Sequence, residues 1–291
     1  MFAKNWFKTI KNTPFAKRLI NNPDKKGYKW AIGGGLIFTG ALCLTATIID
    51  RRQKKEYKKT LLDDVTESKY RKVKQTLKDG IKYGININDI KNYQGQNLLH
   101  LAVLSDTNVN LVKLILKTPI DINAVSNNND TALIMASWYS RCGNNIAFLL
   151  IDSKADVNIK GRNGETALMK AIYYNNINLV TKLLDAGASV GIKDDKGQTA
   201  LDYCIDKPEL FDIIYRRTKK ISNDHKEQIL IAAIQKGNDK IAVQLINDCT
   251  RYNKKDEYGL TALDYIDKMS NQTSQTYILD AINKHQQMRK I

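Results

Sequence analysis

One seven-residue pattern returns along this chain at a nearly constant interval. ETALMKA, DTALIMA, QTALDYC and LTALDYI place a threonine at Thr166, Thr131, Thr199 and Thr261, and QNLLHLA from Gln96 and EQILIAA from Glu227 are weaker copies. The aligned positions, Asn97, Thr131, Thr166, Thr199, Gln228 and Thr261, are 34, 35, 33, 29 and 33 residues apart. The copy at Thr166 shows the physical plan. Ala167, Leu168, Ala171 and Ile172 recur at helical spacing, Asn175-Asn176 interrupts them, and Leu179, Val180, Leu183 and Leu184 form a second stripe. Gly187 then supplies the left-handed residue that ends a helix. Two such short helices cannot bury both stripes alone, so each unit needs neighbours of its own kind.

A period near 33 residues with a T-x-L-H-x-A core is the ankyrin signature. The chain resembles an ankyrin-repeat protein from about Tyr70 to its C-terminus, and Asn97-Leu98-Leu99-His100-Leu101-Ala102 is the nearest copy of the hexapeptide. Ala155-Asp156-Val157-Asn158 and Ala188-Ser189-Val190 resemble the A-D-V-N that follows the second helix. The resemblance implies an all-α fold, a solenoid of about six helix–turn–helix repeats with hairpin tips over 70–291. Leu133, Leu168, Leu201 and Leu263 are then expected to be buried equivalents. His100 is expected to hydrogen-bond near its helix start.

Departures from the pattern carry their own expectations. Pro119, Lys154 and Cys249 stand at the register of Gly187, so those helices end less comfortably. The 29-residue step cuts the fourth repeat short, and its second helix is expected to start at Pro208, a residue suited to the first helical position. A local irregularity in the stack should follow.

In ankyrin stacks partners dock on the tips and on the exposed side of the first helices. Position matching puts Met135, Trp138, Tyr139, Lys170, Tyr173, Tyr174 and Tyr203 on that concave side. Tyr and Trp are the residues that most often dominate interface energies. The competing reading is that Trp138 and some of these tyrosines pack between helices. The tips, Asn127–Asn129, Lys160–Asn163, Asp194–Lys196 and Lys254–Asp256, would set charge matching.

The N-terminal part has a different character. Trp30–Ile49 is twenty residues without a charge, flanked by Lys29 and by Arg51-Arg52, which matches the length and the anchors of a transmembrane helix. Residues 1–29 read as a basic amphipathic or disordered segment and 50–69 as a basic juxtamembrane linker. The net charge of +16 is concentrated here: residues 1–75 hold 18 Lys and Arg against 6 Asp and Glu, and the remainder 28 against 24. Beside an apolar span, anionic lipid headgroups are the expected counter-charge rather than nucleic acid. Five basic residues precede the span within fifteen positions and six follow it, so charge does not decide its orientation. The four cysteines lack paired spacing and read as free thiols in a reducing compartment, which favours a cytoplasmic repeat domain.

No phosphate loop, nucleophile elbow or metal-spaced pair occurs, so no enzyme activity and no cofactor are expected. His225 and His285 fall in polar segments without a spaced carboxylate or cysteine, and Asp63-Asp64 and Asp194-Asp195 read as solvated pairs. The expected function is a membrane-tethered scaffold that binds a partner protein through its concave face. The alternative is a protein whose basic N-terminal region binds a membrane surface or nucleic acid.

Overall fold

The computed structural model describes residues 54–288, except 83–84, 106–107, 139–143, 219–220, 249–251 and 253. The expected segments 1–29 and 30–49 lie outside the described residues. Among those described, no helix is long and apolar enough to cross a membrane. The chain divides into two compact units, Met1–Tyr57 and Lys58–Ile291. Of the first, only 54–57 are described, and they are helical.

The second unit is all helical, and its only β-pairing among the described residues is two isolated bridges, Lys91 with Asn97 and Val125 with Thr131. It begins earlier than Tyr70. Its residues 58–66 are helical rather than a linker, and Leu61 and Val65 are fully buried. A helix pair is the smallest unit that stacks, so this run and α1 (Tyr70–Lys82) make an N-terminal cap. Five pairs follow in the same manner: α2 (Leu98–Leu104) with α3 (Val109–Leu116), α4 (Ala132–Trp138) with α5 (Asn145–Asp152), and α6 (Ala167–Tyr173) with α7 (Ile177–Asp185). After α8 (Pro208–Arg217) come α9 (Asn223–Gln235) with α10 (Asp239–Asp248), and α11 (Ala262–Asp267) with α12 (Gln272–Met288).

The recurring Thr or Asn is a helix cap. Its side-chain oxygen accepts a backbone N–H from the first turn: Asn97 from Leu99 and His100 at 3.0 and 3.1 Å, Thr131 from Ile134 at 3.2 Å, Thr261 from Asp264 at 3.3 Å. Such caps contribute about 1 kcal/mol each. The apolar positions behind them are buried, with Leu133, Leu168 and Leu201 between 1% and 2% exposed. Leu263 departs from this expectation. It is 38% exposed, because its repeat is the last and no further first helix covers it.

Helices stack in two layers. The second helices form an unbroken series, α1–α3–α5–α7–α8–α10–α12. The first helices run α2–α4–α6, continue into a 3-10 turn at Asp202–Cys204, and resume as α9–α11. The fourth repeat thus keeps its second helix, with Pro208 at the expected first position, and loses its first. The fifth repeat departs further. Gln228 is not a cap; Ser222 caps a longer helix, accepting from His225 N–H at 3.2 Å, and no tip precedes it among the described residues.

Two sets of hydrogen bonds join consecutive repeats. The first uses the asparagine that ends A-D-V-N. Asn88 Oδ1 accepts from Asp121 N–H at 2.7 Å, Asn123 Oδ1 from Asp156 N–H at 2.9 Å, and Asn158 Oδ1 from Ser189 N–H at 2.7 Å. Gly191 holds that register next, and the series stops where the fourth repeat is cut short. The second set joins the tips. Asn127 N–H donates to the Gln94 carbonyl at 2.9 Å, Arg162 N–H to Asp130 Oδ1 at 3.0 Å, and Asp195 N–H to the Asn163 carbonyl at 3.0 Å. The contact explains the tip glycines. A Cβ on Gly95 or Gly164, both at φ +72°, would meet the next tip at 2.2 and 2.5 Å, whereas one on Gly197 would meet nothing within 4 Å.

Candidate partner-binding face

The first helices α2, α4 and α6 are seven residues long and buried nearly all round, so their exposed side chains collect at the C-terminal end. At the end of α6, Tyr173 and Tyr174 are 62% and 52% exposed. Their rings meet edge to face, 5.1 Å apart and inclined by 79°. Neither hydroxyl has a hydrogen-bond partner among the described residues. Trp138 ends α4, the helix packed beside α6, and is half-buried. Tyr139 lies outside the described residues.

The other expected contact residues are placed differently. Met135 is 4% exposed and belongs to the core, because it lies on the side of α4 that packs against its neighbours. Lys170 is half-buried and pairs with Glu165, Nζ to Oε2 at 2.5 Å. Tyr203 is a strut. Its hydroxyl sits 3.0 Å from Glu165 Oε1 and 2.9 Å from Asp194 Oδ2, joining the third repeat to the fourth. Burial and the two carboxylates raise its pKa far above the ordinary phenol value.

Asp194 was expected in solvent and is instead 6% exposed. Its Oδ1 accepts from Lys196 and Gln198 N–H at 2.9 and 2.8 Å, so it closes the tip turn. Asp256 repeats the arrangement nine residues before Tyr265, whose hydroxyl donates to it at 2.6 Å. Asp64 is also buried, at 7% exposure. Short polar residues in turns are used up by local backbone donors, which composition alone does not reveal.

The histidines have partners distant in sequence. His100 is 1% exposed, and its Nε2 donates to the Asp130 carbonyl at 2.9 Å, tying the first repeat to the second tip. Burial lowers its pKa, against the opposing pull of that carbonyl. His225 does have a carboxylate, with Asp202 Oδ2 at 3.2 Å, and this contact links α9 to the 3-10 turn. His285 is buried against the Tyr252 hydroxyl. Cys204 is free and buried, and burial pushes its thiol pKa up, so it is not poised as a nucleophile. Among the described residues no cluster of three or more His, Cys, Asp or Glu is placed to hold a metal ion.

The bonds that Asn88, Asn123 and Asn158 make to the next repeat were not expected from the sequence, although Asn158 stood in the A-D-V-N resemblance. The asparagines' spacing of 35 residues was visible in the sequence, but the motif was aligned on its apolar residues.

Family models for ankyrin repeats match two overlapping stretches, residues 64–161 as three copies and residues 150–204 as part of a many-copy array. A comparison with curated proteins gives no match.

Proposed function

We propose, for a chain whose residues 64–204 are ankyrin repeats, that the stack is a protein-binding scaffold held at a membrane by residues 30–49, and that its partner covers Tyr173 and Tyr174. The repeats support protein binding as the class of function. The observation that carries the site is the exposed Tyr173–Tyr174 pair on the first-helix layer. Aromatic rings in water gain more from being covered than polar side chains do, and they lose little conformational entropy when held. Trp138 and Lys170 flank the pair, the first on the neighbouring helix and the second one turn back on α6. The tether is supported by the length of the uncharged run and by its Trp30 and Arg51-Arg52 flanks.

The test is a comparison of wild type with Tyr173→Ala/Tyr174→Ala, both as full-length chains, by partner affinity and thermal melting. The double variant should melt within a few degrees of wild type and bind its partner with about 1–4 kcal/mol less free energy. Unfolding of the variant would make the tyrosines core residues. Retained binding in a folded variant would move the site to another face.

A further inference from the structure

The edge formed by the tips has a vacancy. In the second, third and fourth tips, the N–H four residues before the recurring Thr is given to the tip before it, by Asn127, Arg162 and Asp195. Glu257 holds that register in the last tip, and among the described residues its N–H meets no acceptor. The fifth repeat, which would have supplied one, has two extra turns of α9 where its tip would stand.

In front of Glu257 the missing tip leaves a groove of about 560 Å³ between α9 and Lys254–Tyr258. Ile231 and Ala232 line its apolar part, and Gln228 and Gln235 its polar part. Ile231 stands at the register of Ile134, the side chain that the third tip packs against at Gly161. Among the described residues that face it, Asp256 and Glu257 stand against Lys255, while Lys254 is drawn to Asp224 at 2.9 Å, so the groove is acidic on balance. Tyr258, 73% exposed, stands at its rim.

We propose that this groove is a second docking site, which takes an extended segment of a partner protein bearing lysine or arginine in the place of the missing tip. The segment's backbone carbonyl accepts the Glu257 N–H, as the Gln94 and Asn163 carbonyls accept from their neighbours. Its apolar atoms cover Ala232, and its cation faces Glu257. Backbone pairing supplies the fit and charge supplies the selectivity, as in other modes of extended-peptide recognition. The site does not depend on Tyr173 and Tyr174, which belong to the third repeat.

The chain provides its own probe. A fluorescein-labelled peptide copying residues 159–166, IKGRNGET, has the tip geometry and two cations. Its fluorescence anisotropy should rise saturably with the full-length protein, and a copy with both cations changed to glutamate should bind at least tenfold more weakly. Glu257→Pro removes the donor at the second position of a turn closed by Gly259 N–H to the Asp256 carbonyl at 3.0 Å, where proline is favoured. It should weaken binding tenfold or more. Ala232→Trp fills the groove without touching the turn and should do the same, even if Glu257→Pro disturbs the tip. Tyr173→Ala should leave the peptide affinity unchanged, which separates this site from the face proposed above. The proposal is overturned by no binding to wild type, by equal binding of the two peptides, by indifference to both groove variants, or by loss on Tyr173→Ala.

Discussion

At the scale of single residues, the same repeat position carries different energies according to its neighbours. Leu168 and Leu263 occupy one register, yet the first is 1% exposed and the second 38%. Leu168→Ala should cost about 2–5 kcal/mol in denaturant melts, the range for a buried leucine that leaves a cavity. Leu263→Ala should cost under about 1 kcal/mol, because that residue is already in contact with water. Equal losses would refute the placement of the last repeat. His100 gives a second test. A base whose folded pKa is lowered binds fewer protons folded than unfolded, so stability is fullest above the unfolded value of about 6.5 and falls as pH drops through it toward the folded value. The melting temperature of wild type should therefore fall more steeply between about pH 7.5 and pH 5.5 than that of His100→Gln. Parallel pH profiles would show that the imidazole is not held neutral.

At the scale of elements, the junction between the fourth and fifth repeats differs from those before it. Three earlier junctions have a tip-to-tip bond and two of these also have an asparagine rung, Gly191 holding the rung position at the third, whereas here neither kind of link is made among the described residues. The links across it include the packing of α8 on α10, the His225–Asp202 contact, the bond from Asn238 Nδ2 to the Ile205 carbonyl at 3.0 Å, the bond from Gln244 Nε2 to Asp212 Oδ1 at 3.4 Å and Lys226 over the Tyr215 ring. In a solenoid, stability is a sum over repeats and their nearest-neighbour interfaces, so a weak interface divides the cooperative unit. Native-state hydrogen exchange in low denaturant should show α9–α12 opening at a lower free energy than α2–α7. A single opening free energy for all helices would contradict this.

At the scale of the whole molecule, the proposed tether and the proposed scaffold make separable demands. The full-length protein should stay with membranes in carbonate extraction. Leu36→Arg together with Leu42→Arg should release it, since arginine near the centre of a span costs about 2.5–3.5 kcal/mol per residue. Release of the unaltered chain would leave the scaffold standing and remove the tether. The two outer surfaces would then have to find their partners in solution. The Tyr173–Tyr174 face is apolar at its centre and the groove beside Glu257 is acidic, so one partner could engage both only by presenting an apolar patch and a basic extended segment together.

The repeat, its period and the two stripes of most units could be read from the sequence, because periodic burial is a local demand that each copy must meet by itself. The shortened fourth repeat and the start at Pro208 were readable for the same reason. Contacts between copies were not. Tyr203 looked like an interface tyrosine until Glu165 and Asp194 were found on either side of its hydroxyl, and Met135 looked accessible until its neighbours covered it. His225 acquired a carboxylate from 23 residues away, and the extra turns of α9 took the place of a tip that the pattern EQILIAA seemed to promise. A stripe of leucines states only that something must lie against it. Which side chain ends in the core, which becomes a strut and where the edge of tips is left open depend on what the adjoining repeat brings to the junction, and only the tertiary structure sets that.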